Sequence, residues 1–212
     1  MKNIISIIIL CLFSTNIFAQ SEQYMNGMKG MLVKMEAAKT PEAYQAVANG
    51  FERIANAEKT EWLPKYYAAF CYTMQAMMQT DKDKIDPIAD QAEKLVDEGI
   101  ALNNNDELLC VKSLCKSAKI GVNPMTRGMK MGQQSAKLLE EAKAINPNNP
   151  RIYYLQGQSK YYTPEAFGGG KKKAKEFFEI ALAKFETFKP TSELMPNWGA
   201  EQAKNMLEDC NK

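Results

Sequence analysis

The sequence contains no histidine. That absence removes Ser-His-Asp and Cys-His nucleophilic catalysis and the zinc sites built on imidazole. Cysteine is scarce, with five in 212 residues, and neither sign of charge dominates: 27 basic side chains stand against 25 acidic ones. A formal charge of +2 gives no general reason to expect a nucleic-acid or anionic-membrane partner. No GxSxG, CxxC or GxGxxG frame stands out, and carboxylates such as Glu140-Glu141 fall on polar helix faces. The sequence therefore predicts no enzyme. After the apolar run from Ile4 to Phe13, no segment is apolar enough to span a bilayer. No window alternates at period two, so no sheet is expected.

What remains is an ordinary globular composition, 45% apolar and 25% charged, in a chain long enough to bury a substantial core. Met1-Lys2-Asn3, the apolar stretch and Ser14 to Ala19 read as a secretory signal peptide cut after Ala19. That divides the chain into a leader, 1–19, and a helical domain, 20–212. Cys11 lacks the preceding small residue of a lipoprotein signal. Export to the periplasm or beyond permits disulfides. Cys71, Cys110, Cys115 and Cys210 leave the pairing open, and three of them lie on apolar helix faces, where cysteine serves as a small hydrophobe.

Turn and breaker residues divide the domain into nine expected helices, near 22–38, 41–58, 61–79, 87–102, 106–121, 126–145, 149–163, 171–187 and 196–210. Thr40-Pro41 and Asp86-Pro87 each place an N-cap side chain before a proline in the first turn. Ala69, Ser113 and Gly157 recur every 44 residues, each inside a helix. In the alternate helices a small–large–small trio repeats with spacings of four and three: Gly50-Ile54-Ala57, Ala92-Val96-Gly99, Ser135-Leu139-Ala142 and Ala174-Phe178-Ala181. Residues at those spacings share a helix face, and small ones let a neighbour approach. A hairpin of this kind buries its apolar face only by stacking on the next copy.

Over residues 41–190 these motifs resemble the tetratricopeptide repeat (TPR) family. Ala174-Phe178-Ala181 matches its second-helix signature, and Ser135-Leu139-Ala142 followed by Pro147 does too. The first-helix tryptophan-leucine-glycine-tyrosine pattern is incomplete, and the period is 44 rather than about 34 residues. The resemblance implies an all-α, right-handed solenoid of stacked antiparallel hairpins with a peptide-binding concave face. Its groove would be lined by Tyr66, Phe70, Thr73, Leu114, Ser117, Tyr154, Gln158 and Tyr161, with Trp198 and the last helix capping the stack. The expected function is a non-catalytic scaffold for a protein or peptide partner, with no cofactor and no dedicated metal site.

Two features support a different expectation, a carrier of a small ligand, anion or metal ion. Gly168, Gly169 and Gly170 lead into Lys171 and Lys172, where loop N–H groups and a helix N-terminus can meet an anion. Methionines cluster at Met25-Met28-Met31-Met35, at Met74-Met77-Met78 and at Met125-Met129-Met131. Thioethers form deformable apolar surfaces and also bind soft metal ions.

Overall fold

The computed structural model describes residues 22–212. The expected leader and its cleavage site lie outside them. Nine α-helices and no strand occupy the described residues. They are α1 (22–37), α2 (Pro41–Ala57), α3 (Leu63–Met77), α4 (Ile85–Leu102), α5 (Asp106–Ile120), α6 (Pro124–Ile145), α7 (Pro150–Tyr162), α8 (Lys171–Thr187) and α9 (Ala200–Cys210). Among the described residues no helix is long and apolar enough to cross a membrane.

Local chemistry sets most boundaries. Thr40 Oγ1 accepts from the Ala43 N–H at 3.2 Å, with Pro41 in the first turn of α2. Asn105, Asn123 and Asn149 cap α5, α6 and α7 in the same way. Asp86 does not cap α4 as the sequence suggested. The helix begins two residues earlier than expected, at Ile85, after a 3-10 turn capped by Asp81, and the Asp86 carboxylate instead accepts from Arg127 at 2.6 Å. The last helix begins at Ala200 rather than 196. Gly199 takes a left-handed φ of 108°, and the residues before it cross the body of the protein.

Successive helices run antiparallel. Lys65 near the start of α3 pairs with Glu98 near the end of α4, while Lys119 near the end of α5 pairs with Asp90 near the start of α4. Odd-numbered helices therefore lie parallel and in register. Thr73 meets Cys115 at 3.1 Å, 42 positions apart, and Glu107 accepts from Arg151, 44 positions apart. This packing is consistent with a helical repeat. Three of the four trios are buried as read: Ala92-Val96-Gly99, Ser135-Leu139-Ala142 and Ala174-Phe178-Ala181. The copy in α2 slips. Ile54 is half-buried and Ala57 exposed, because Phe51 and Ala55 occupy the core position. Small residues are required where helices close up: a Cβ at Gly157 would stand 2.6 Å from Phe178.

Residues 188–199 lie across the face formed by α3, α5 and α7. Tyr67 donates to the Leu194 carbonyl at 2.7 Å. The Trp198 indole N–H donates to the Tyr66 hydroxyl at 2.7 Å, and its ring sits 5.0 Å from Phe70 and 6.2 Å from Tyr154. Beneath it, Arg151 and Glu107 form a buried ion pair. Burial pushes the Glu107 carboxyl above the usual range, and the guanidinium and the Asn149 amide oppose that shift. Breaking such a pair one-sidedly costs about 3–5 kcal/mol, because a buried charge is left alone.

Candidate functional site

The expected groove is not open. Tyr66, Phe70, Thr73, Leu114 and Tyr154 are buried, covered in part by Leu194 and Trp198. Ser117, Gln158 and Tyr161 are half-buried and bonded internally, to the Ser113 carbonyl, the Tyr154 hydroxyl and the Asp209 carboxylate. The 188–199 segment takes the place that a peptide would need.

The glycine–lysine connection is also closed on itself. Gly168 N–H donates to Glu165 O, Gly169 N–H to Pro164 O and Gly170 N–H to Lys160 O, at 2.9, 3.2 and 2.9 Å. The three loop N–H groups that anion capture would use are thus committed. Gly168 and Gly170 adopt left-handed φ values of 81° and 97°, which explains the glycines through the turn they make. Lys171 pairs with Asp209 at 2.8 Å, and Lys172 is exposed without an ion pair among the described residues. Hydrogen bonds from Lys171 and Tyr161 hold the Asp209 carboxyl below the usual carboxylate range.

The cysteines offer no reactive thiol. All four among the described residues are free. Burial pushes the Cys71, Cys110 and Cys115 thiols up, Cys115 to about 12. A hollow of about 390 Å³ lies between α4, α5 and the start of α6. Four basic side chains line it against two acidic ones: Arg127 pairs with Asp86 and Lys119 with Asp90, Lys116 pairs with Glu93 outside the lining, and Lys130 forms no ion pair among the described residues.

One surface is apolar, open and unexplained by packing. The face of α6 that buries Ser135 and Leu139 continues toward the helix start through Gly132 and Gly128 to Met125, with Met129 beside it. A Cβ at Gly128 or Gly132 would meet no atom within 4 Å, in contrast to Gly50, Gly99 and Gly157. Met125 is 94% exposed and Met129 74%. Glu140 lies about 20° from Met129 around α6 and accepts from Gln156 of α7 at 2.8 Å, whereas the glycines continue the face on which Ser135 meets Ser113 and Ser117 of α5. Met129 therefore looks across the joint to α7, which α6 touches only sparingly, and the glycines open beyond the end of α5. From that contact α6 extends sixteen residues toward its start, while α7 extends six toward its end. α6 therefore overshoots by about ten residues, roughly 15 Å at 1.5 Å per residue.

Lys160 lies one turn beyond Gln156 on the same side of α7 and forms no ion pair among the described residues. The chain then turns through Glu165–Phe167, where Phe167 is 75% exposed. Met77 and Met78, at the end of α3, are partly exposed on the same edge of the molecule. The joint thus offers a flat glycine shelf, two exposed thioethers and an unpaired cation. The sequence had marked Met125 and Met129 but not Gly128 or Gly132. Two glycines four apart before an apolar stripe were the available signal.

Among the described residues, fold and joint together define an all-α arrangement of packed hairpins with an uncovered apolar surface on the first half of α6. No protein-family profile matches the sequence, and a comparison with curated proteins finds no match. Among solved structures the chain is similar to the HusA haemophore from Porphyromonas gingivalis. The two are 33% identical, with a TM-score of 0.80 over 88% of this chain and 92% of that one. The chain belongs to the family of that haemophore. This kinship overturns the expectation of a peptide-binding scaffold and favours the alternative, a small-ligand carrier. The filled groove is the physical reason.

Proposed function

We propose that this protein is a carrier of haem that binds the porphyrin in the open joint between α6 and α7. The observation that carries this reading is the uncovered glycine–methionine face of α6, in a chain whose relative is a haemophore. A porphyrin is a flat apolar disc with two carboxylates at one edge. Gly128 and Gly132 leave room for a ring to lie against the helix backbone, and Met125 and Met129 supply deformable apolar contact. Lys160, one turn beyond Gln156 on α7, is the cation we assign to a carboxylate. Contiguous exposed apolar surface of this kind marks a binding site more often than chance.

Carriage, with no chemistry performed on the ligand, accords with the absence of histidine and of any nucleophile–base frame. The signal-like N-terminus accords with work outside the cytoplasm. The 44-residue register supports the finer reading of the stack as a right-handed, TPR-like solenoid.

The test is titration of the purified protein with haem, followed by absorbance and by quenching of tryptophan emission. Saturable binding at one equivalent is expected. Met125→Asp with Met129→Asp should weaken it at least tenfold without changing the helical circular dichroism. Unchanged affinity in that variant would remove the joint as the site.

A further inference from the structure

We infer that the hollow between α4, α5 and the start of α6 is a second binding site, which takes a small soluble phosphomonoester on Arg127, Lys130 and Lys116. It stands apart from the joint and does not rest on the haem reading. Lys130 lies about 100° from Met129 around α6, so the two side chains leave the helix in different directions.

The hollow holds more donors than its own carboxylates use. Lys116, Lys119, Arg127 and Lys130 line it against Asp86 and Asp90. Lys130 forms no ion pair and no hydrogen bond among the described residues. Arg127 donates through Nη1, to Asp86 at 2.6 Å and to the Lys119 carbonyl at 3.5 Å. Its Nε and Nη2 groups remain, and together they form the guanidinium edge that meets two oxygens of one phosphate. Lys116 gives one of its ammonium hydrogens to Glu93, at 2.8 Å, and keeps the others. Lys119 serves Asp90 and Glu93. Asp90 is largely exposed, so it can turn to water and release Lys119 to a ligand. The Thr126 hydroxyl adds a further donor, with no partner among the described residues.

Position and size narrow the ligand. Arg127 and Lys130 stand in the first two turns of α6, where the helix dipole favours negative charge, and the first turn carries no acid. An anion in the hollow removes that conflict. A phosphomonoester brings about −1.5 to −2 charge and three acceptor oxygens at neutral pH, enough for the Arg127 edge and Lys130 together. A carboxylate has one charge and two oxygens, which the Arg127 edge alone uses up. The hollow measures about 390 Å³, within the range of small-molecule sites and larger than a phosphate group needs. The phosphate therefore arrives on a small carrier, and Met131 in the lining gives that carrier an apolar contact.

The experiment titrates the full-length protein with glycerol phosphate and with succinate at constant ionic strength, followed by calorimetry and amide NMR. Saturable binding of glycerol phosphate at one site is expected, with shifts at the Thr126, Arg127 and Lys130 amides. K130A should weaken it about fivefold or more, and R127K by a similar factor, because lysine keeps the charge and loses the two-pronged edge. Lys130 is exposed and holds no other side chain in place, so K130A leaves the fold intact. K172E removes an exposed cation at the glycine–lysine turn and should change the affinity by less than about twofold.

A loss in K172E equal to that in K130A would reduce the effect to general charge attraction and overturn the site. Succinate binding as tight as that of glycerol phosphate would overturn the phosphate class. Retention on phosphatidylcholine vesicles containing phosphatidic acid, with no binding of glycerol phosphate, would overturn the soluble source in favour of a membrane surface. Binding of neither would overturn the site itself.

Discussion

Two faces of this molecule begin from similar materials and end differently. The face of α3, α5 and α7 presents Tyr66, Phe70 and Tyr154, and the chain covers them with its own residues 188–199. The first half of α6 presents Met125, Gly128, Met129 and Gly132, and among the described residues no atom lies within 4 Å of either glycine's Cβ position. The first face is aromatic, hydrogen-bonded and built around a buried ion pair. The second is soft, with two exposed thioethers and two glycines whose Cβ positions stand open. A surface that the fold fills itself is structure, and an apolar surface that the fold leaves open is where a ligand belongs.

The contrast can be broken hardest at the filled face. Arg151→Met leaves Glu107 charged and buried without its partner. The expected loss is about 3–5 kcal/mol of unfolding free energy in urea melts. A loss under 1 kcal/mol would mean that the pair is dispensable.

Trp198→Ala removes the ring from Phe70 and Tyr154 and the donor from Tyr66. Trp198 is half-buried, so about 2–3 kcal/mol is expected, at or below the low end for a fully buried aromatic. Porphyrin affinity should stay within threefold. A tenfold fall would transfer the site to the filled face.

Gly128→Ala and Gly132→Ala should act in the opposite sense. No atom stands in the way of either Cβ, so each should stabilise the helix by about 0.5–1 kcal/mol, read as a rise in melting temperature. Each should also weaken porphyrin binding modestly, because the shelf is no longer flat. A stabilised protein that binds more tightly would contradict the shelf.

The smallest effect concerns α9. Asp209 has a folded pKa lowered by Lys171 and Tyr161 from its ordinary 3.8. A depressed acid contributes stability above its unfolded pKa and loses it as pH falls through the folded value. Exchange of the α9 amides should therefore quicken only below about pH 4, and Asp209→Asn should remove that step. The groups are solvent-exposed, so global stability should hardly move.

Much of the skeleton was legible because it rests on local rules. Thr40-Pro41 announced α2, and Asn146 to Pro150 announced the break before α7. The 44-residue spacing of Ala69, Ser113 and Gly157 foretold the register in which Glu107 meets Arg151. The site was legible only in part. Met125 and Met129 showed as a cluster, but their openness depends on how far α6 outruns α7, which is a relation between two helices. The groove was misread for the matching reason. Periodicity places Tyr66 and Tyr154 on one face, but only tertiary structure shows Trp198 lying on top of them. Asp86 was taken as a cap because its own neighbours suit one, whereas Arg127, 41 positions away, claims it.

The central claim is that the ligand enters the α6–α7 joint and not the aromatic face. The most direct test is an NMR titration of methyl-labelled methionine together with the tryptophan indole N–H, using iron-free protoporphyrin. The account predicts large ring-current shifts at the Met125 and Met129 methyl groups while the Trp198 indole and the buried Met28 methyl stay in place. A displaced Trp198 indole with unmoved Met125 and Met129 signals would contradict it.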